Sequence, residues 1–306
     1  MNACMKSKNT LFFILLSSLF LTSCSFNHLF YDTEKIPATF KQVTIMTKTG
    51  DTTYLNIGSG FQPTFTDNKY KPLPLSYTFE SVNFKNEKGN NLVGWFAKPE
   101  KKTNPLITIL LLHGNGTNIV VDFYSIIQLV KQGFQVFTFD YSGYGFSEGK
   151  PTRKRVLADC NDALNMLLSR ADVKGTKVVV YGESMGGQLA ATLASENEAK
   201  INSLVMEGAP SSHKDIAARM LGAFGFLAHV LVKNEYSSVK SVERYHKPLL
   251  VIQSSEDKTV PLSMGRKIYD HANEPKSFYQ IKGGHIGGLS LYVDSIAVRI
   301  KGLVSQ

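Results

Sequence analysis

Three cysteines in 306 residues leave little room for covalent cross-linking. Cys4 and Cys24 fall in the first two dozen residues and Cys160 stands alone in the body of the chain. No disulfide framework can therefore hold the fold, and stability must come from a packed core. Blocks of five or six like charges are also missing, and 34 Lys and Arg against 25 Asp and Glu give a net charge of +9. With no basic stripe interleaved with aromatics, nucleic-acid binding is not expected. His and Cys never cluster at metal-ligand spacing and no Gly-x4-Gly-Lys-Ser/Thr loop occurs, so neither a metal nor a nucleotide cofactor is expected. Gly143-Tyr144-Gly145 approaches a dinucleotide fingerprint, but the third glycine would fall at Glu148, and Pro151 delays the helix that should receive a pyrophosphate. What the chain does have is 43% hydrophobic against 19% charged residues, the balance of a domain folded around a sizeable core.

Residues Leu11 to Leu21, LFFILLSSLFL, form an apolar run behind Lys6 and Lys8 that is too short to cross a bilayer. This is the h-region of a signal peptide covering residues 1–23. Met5 offers a second start, which would change only the leader. Leu21-Thr22-Ser23-Cys24 resembles the bacterial lipobox, where the chain is cut before a cysteine that then carries lipid. The resemblance implies a protein anchored to the cell envelope through Cys24. Ser25 in the next position favours the periplasmic face of the outer membrane. Cys160 then remains as a lone thiol on an apolar helix face and reads as a small buried hydrophobe.

Residues 24–75, polar and broken by Pro37, Pro63, Pro72 and Pro74, read as anchor and tether, ordered only in parts, with a hairpin possible. From 76 to 306 strand and helix signals alternate. The runs LITILLLHG, FQVFTFD, KVVVY, INSLVMEG and KPLLVIQ are continuously apolar, and the segments between them carry apolar residues at helical spacing. Such runs imply an α/β fold with a mainly parallel sheet covered by helices on both faces, entered by the antiparallel pair SYTFESVNF and NLVGWFAK. Sites then belong at the strand C-termini. Residues 211–246 interrupt the alternation with an apolar helical stripe from Ile216 to Val232. This is either a small helical cap or an extra helix on the sheet.

Two Gly-x-Ser-x-Gly segments occur, GFSEG at 145–149 and GESMG at 182–186. A nucleophile elbow needs a strand, an abrupt turn and a helix. Only Ser184 has all three, between KVVVY and MGGQLAATLA, whereas Ser147 is followed by Gly149-Lys150-Pro151. A serine hydroxyl needs a base and an orienting acid, and in this fold type they follow it in the order acid, then His. Asp257 ends the strand KPLLVIQ and His285 follows the strand KSFYQIK; Glu256 is the spare acid. The oxyanion needs two donors, here the N–H of Met185 and that of Asn115 in His113-Gly114-Asn115-Gly116. His113 is expected to order that loop.

HGNGTN (113–118), DYSGYGFSEGKPT (140–152), YGESMGG (181–187), DKTVP (257–261) and GGH (283–285) together resemble the α/β-hydrolase superfamily. The branch most similar is that of Bem46-like and mammalian ABHD-type serine hydrolases, often labelled serine aminopeptidase-like in bacteria. The resemblance implies an ester- or thioester-cleaving serine hydrolase with Ser184 as nucleophile, His285 as base, Asp257 as orienting acid, and Asn115 and Met185 as oxyanion donors. No cofactor is expected, and an apolar pocket under residues 211–246, with an anchor at Cys24, would suit a small acyl or lipid-like substrate. Two alternatives stay open: a binding lipoprotein that kept the fold without turnover, and an aminopeptidase. Gln253-Ser254 stand where the branch has His-Gly, and Ile286 stands where it often has a polar residue. Nothing in the sequence sets an oligomeric state.

Overall fold

The computed structural model describes residues 31–37, 39–46, 52–101 and 106–305. The stretch expected as a leader, with the expected cleavage and lipidation site at Cys24, lies outside the described residues. The first elements are a three-stranded antiparallel meander: β1 (Gln42–Met46), β2 (Thr52–Ile57) and β3 (Pro63–Thr66). It occupies the stretch expected as a tether. Leu55, Ile57 and Phe65 are buried, in one cluster with Trp95 and Ile109 of the main sheet. The Trp95 indole N–H donates to the Phe61 carbonyl at 2.9 Å. Packed structure therefore extends well before residue 76, because alternate residues of β2 and β3 supply an apolar face.

The main sheet holds β4 (Tyr77–Lys85), β5 (Asn91–Pro99), β6 (Ile107–Leu112), β7 (Gln135–Phe139), β8 (Lys177–Glu183), β9 (Ser203–Glu207), β10 (Leu249–Ser254) and β11 (Lys276–Ile281). Their spatial order is β11-β10-β9-β8-β6-β7-β5-β4. Only β5 runs against the rest, pairing antiparallel with both β4 and β7. Every residue of β6, β7, β9 and β10 is buried. Their side chains alternate between two cores: Leu110 and Leu112 face one, Ile109 and Leu111 the other. Burial of each contributes about 1.5–3 kcal/mol.

Helices α1 (Phe123–Lys131) and α9 (Val293–Leu303) cover one face; α2 (Arg153–Ser169), α3 (Met185–Glu196) and α7 (Leu262–His271) cover the other, joined by α6 (Ser238–Val242). Thr152 caps α2 by accepting from the Arg155 N–H. Cys160 points into the α2 core and burial pushes its thiol up, which leaves it unreactive. Between β9 and β10, the inserted residues split. Helix α6 packs on α3 and α7, whereas α4 (His213–Leu221) and α5 (Phe226–Leu231) form a small cap. A last short helix, α8 (Gly288–Leu291), follows β11. Among the described residues no helix is long and apolar enough to cross a membrane.

Candidate active site

Strand β8 ends in an elbow at Ser184, whose φ of 53° and ψ of −120° lie where few residues other than glycine go. The turn is possible because its neighbours are glycines. A Cβ on Gly182 would lie 2.1 Å from the Gly186 carbonyl oxygen, and one on Gly186 would lie 2.0 Å from that of Leu112. Helix α3 is thus pressed directly onto β8 and β6, and Ser184 stands at its N-terminus. The Ser184 N–H donates to the Glu207 carbonyl at 2.8 Å, fixing the elbow to β9.

His285, on the loop after β11, has Nε2 2.8 Å from Ser184 Oγ and Nδ1 2.6 Å from Asp257 Oδ2. Asp257 Oδ1 accepts from the N–H groups of Thr259 and Val260 at 2.8 and 2.9 Å. Burial works to raise this carboxyl, but hydrogen bonds from His285, Val260 and Thr259 hold it below its ordinary value. Asp257 is therefore ionised at neutral pH. The departure at Gln253 has a structural role: its side-chain amide donates to Asp257 Oδ2 at 3.2 Å and to the Val260 carbonyl at 2.8 Å. Glu256, the spare acid, instead accepts from the Gly283 N–H at 2.8 Å and so ties down the start of the His285 loop.

Asn115 and Met185 both line the cavity beside Ser184. Met185 is the first residue of α3, so its N–H has no acceptor within the helix. The Asn115 side chain accepts from Tyr144 OH at 2.7 Å and from the Asp32 N–H at 2.9 Å, while the Gly116 N–H donates back to the Asp32 carbonyl at 3.1 Å. Segment 31–36 also joins Gly145 through Ile36 N–H to Gly145 carbonyl and Gly145 N–H to Glu34 carbonyl, both 3.0 Å. His113 is fully buried, and burial drives its pKa down to about 4. It is neutral, with Nδ1–H donating to the Gly114 carbonyl at 2.8 Å. It orders the loop, as expected.

The second Gly-x-Ser-x-Gly segment serves the scaffold. Ser147 is buried, donates to the Asp140 carbonyl and accepts from the Val93 N–H. Asp140, pushed up to about 7 by burial, receives the N–H groups of Ile119 and Phe146. Below the elbow lie two buried carboxyls. Burial, then the facing Glu207, holds Glu183 well above the usual carboxylate range. Glu207 accepts from Tyr181 OH and, at 2.6 Å, from the Gly288 N–H, which fastens the far end of the His285 loop.

Over Ser184 opens a cavity of about 440 Å³, walled by Tyr31, Met185, Ile216, Met220 and Val260, with Arg219 and Lys258 also lining it and no carboxylate among the described residues of its lining. The structure thus brings together the five residues expected at the catalytic site, Ser184, His285, Asp257, Asn115 and Met185, while Cys24 lies outside the described residues. Those to which the sequence assigned no role in the site are Tyr31, Tyr144, Gln253 and Glu207. Tyr144 stood within the DYSGYG segment without a role, and Tyr31 carried no signal.

The fold and this site define the class: the chain belongs to the α/β-hydrolase family. The family model for the alpha/beta hydrolase fold matches residues 107–228. The chain is 32% identical over 228 residues to the uncharacterized protein YfhR of Escherichia coli, spanning 73% of this chain and 78% of that protein. It is 28% identical over 222 residues to alpha/beta hydrolase domain-containing protein 17B of Homo sapiens, spanning 72% and 73%. Among solved structures, the Pyrococcus furiosus esterase Pf2001 shares the fold with a TM-score of 0.63 at 19% identity, covering 80% of this chain and 98% of that one.

Proposed function

We propose that the protein is a serine hydrolase that cleaves carboxylic ester or thioester bonds through an acyl-enzyme. The observation that carries this reading is the continuous chain of hydrogen bonds from Ser184 Oγ through His285 to the buried Asp257 carboxylate. Ser184 Oγ attacks the acyl carbonyl carbon while His285 Nε2 takes the hydroxyl proton. The carbonyl oxygen, now negative, rests against the Met185 and Asn115 N–H groups at the positive end of α3. Collapse expels the alcohol or thiol, which receives the proton from His285. Water then gives a proton to His285 and attacks the acyl carbon; the acid leaves and Ser184 regains its proton.

The walls at Ile216, Met220 and Val260 suit an apolar acyl group. An aminopeptidase would need an anionic group to receive a substrate amine, and the cavity lining carries Arg219 and Lys258 instead. A lipid on Cys24 would hold the enzyme at the envelope, in keeping with an acyl substrate, and Ser25 favours the outer membrane's periplasmic face.

The test is mass spectrometry after treatment with a fluorophosphonate. One adduct per chain is expected, on the peptide containing Ser184, and none on the Ser184→Ala chain. Folded wild-type protein without an adduct would move the assignment to a binding lipoprotein on a hydrolase fold.

Tyr144→Phe tests the brace on the oxyanion loop. Loss of its 2.7 Å bond to Asn115 frees that loop by about 1 kcal/mol. The expected result is a fall in kcat of about twofold to tenfold on a dissolved ester, with KM nearly unchanged. A rise in KM alone would place Tyr144 in substrate binding instead.

A further inference from the structure

We propose that the outer face of the cap docks on an anionic lipid bilayer and sets the mouth of the Ser184 cavity against its surface. Eleven large apolar side chains are exposed among the described residues, and six of them, Met220, Leu221, Phe224, Phe226, Leu227 and Val230, fall within residues 220–230. The arrangement inverts that of an ordinary surface helix, which turns its large apolar side chains inward. Here the buried apolar residues are the small Ala217 and Ala228 with Val232, and Ile216 packs half-buried against the core, while Phe224 and Phe226 are about two-thirds exposed and Val230 more so. So dense an apolar patch marks an interaction surface.

Two observations choose the bilayer as its occupant. The first is charge. Lys214, Arg219 and Lys233 flank the patch and Lys258 stands across the cavity mouth. The single acid between residues 211 and 233, Asp215, is paired with Lys267 at 2.9 Å. Large apolar groups rimmed by cations suit an interface of anionic headgroups over acyl chains. The second is chain length. Tyr31 forms part of the cavity wall, with its OH 3.3 Å from that of Tyr236, and it stands seven positions after Cys24. At no more than ~3.6 Å per residue, a lipid on Cys24 keeps the cavity mouth within about 25 Å of the membrane. Met220 belongs to both the patch and the cavity wall, so a docked cap opens the cavity toward the acyl chains.

This inference rests on the proposed lipid anchor at Cys24 for its distance argument and on the serine hydrolase reading for what the docked site does, and docking is read without turnover. Trp95 is the one tryptophan and is fully buried, so its signal is a constant background. The full chain carrying Phe224→Trp is mixed with vesicles of phosphatidylethanolamine and phosphatidylglycerol whose acyl chains are brominated. The new emission should be lost on mixing, with Ser184 present or replaced by alanine. Emission from Val298→Trp, on the equally exposed α9 site, should be quenched no more than that of Trp95. In parallel, Phe224→Ser with Phe226→Ser and Val230→Ser should lower the ratio of turnover on vesicle-borne to dissolved ester at least about tenfold. Equal quenching at the two tryptophan sites overturns the proposal. So does a face already shielded before vesicles are added, with a mass of two chains, which would assign it to a second copy. A chain that docks without forming a fluorophosphonate adduct would leave docking standing and remove the hydrolase reading; an adduct without docking would do the reverse.

Discussion

Gly186→Ala is expected to destabilise the protein by more than about 4 kcal/mol and to abolish fluorophosphonate labelling in whatever fraction folds. A Cβ at this position meets the Leu112 carbonyl oxygen at 2.0 Å and that of His113 at 2.6 Å. Both are backbone atoms of the strand end beneath α3, so neither can rotate away. The helix has to lift, and with it go Ser184 at its N-terminus and the Met185 N–H. Overpacking that moves backbone lies at the severe end of single substitutions, and in a domain of this size the midpoint of thermal unfolding should fall by about 10 °C. Gly302→Ala is the matched control. A Cβ there meets nothing within 4 Å, and the residue lies inside α9, so stability should rise by about 0.5–1 kcal/mol. Thermal unfolding of the two variants, with labelling of each, checks both signs. Wild-type stability in Gly186→Ala would mean that α3 does not rest on β6 in this way.

The features legible in the sequence are those written in local pattern. Continuous apolar runs such as ITILLL can be buried only between two helical layers, which fixed the class of sheet. Ser184, Asp257 and His285 could be found because each follows a strand and strand ends converge on one edge of a parallel sheet. Contacts set by tertiary register were not legible. Gln253 reads as a departure from the branch pattern, and only the structure shows its amide on Asp257. Glu207 sits near the end of the strand run INSLVMEG with no role to mark it; its bond to the Gly288 N–H joins positions 81 apart. Prolines and polar residues hid the N-terminal meander, since composition suggests a tether and the burial of Leu55 and Phe65 depends on a partner sheet. Tyr31 is the extreme case, meeting Tyr236 across 205 positions.

Those register contacts also explain why the two neighbouring acids should respond so differently to the same change. Asp257→Asn is expected to lower kcat by about 10³–10⁴-fold, a loss of roughly 4–5.5 kcal/mol in transition-state stabilisation, with KM little altered. The carboxylate has both oxygens occupied as acceptors: Oδ1 by Thr259 and Val260, Oδ2 by His285 and Gln253. An asparagine has one oxygen. If it stays on the two backbone N–H groups, its NH₂ faces His285 Nδ1, which must then become an acceptor. The imidazole proton moves to Nε2, against Ser184 Oγ, where a base is needed. Glu256→Gln keeps an acceptor for the Gly283 N–H and touches neither ring nitrogen, so kcat should change by no more than about threefold. The depressed pKa of Asp257 sets a second, smaller effect. Its ionised form favours the folded state above its unfolded value of about 3.9, and this contribution is lost as pH falls through the lower folded value. Asp257→Asn should therefore cost stability at neutral pH and progressively less below about pH 4. Steady-state kinetics on a dissolved ester, with unfolding of both variants at neutral and acid pH, separates the two acids: a Glu256→Gln chain that is inactive beside an active Asp257→Asn chain would transfer the orienting role to Glu256.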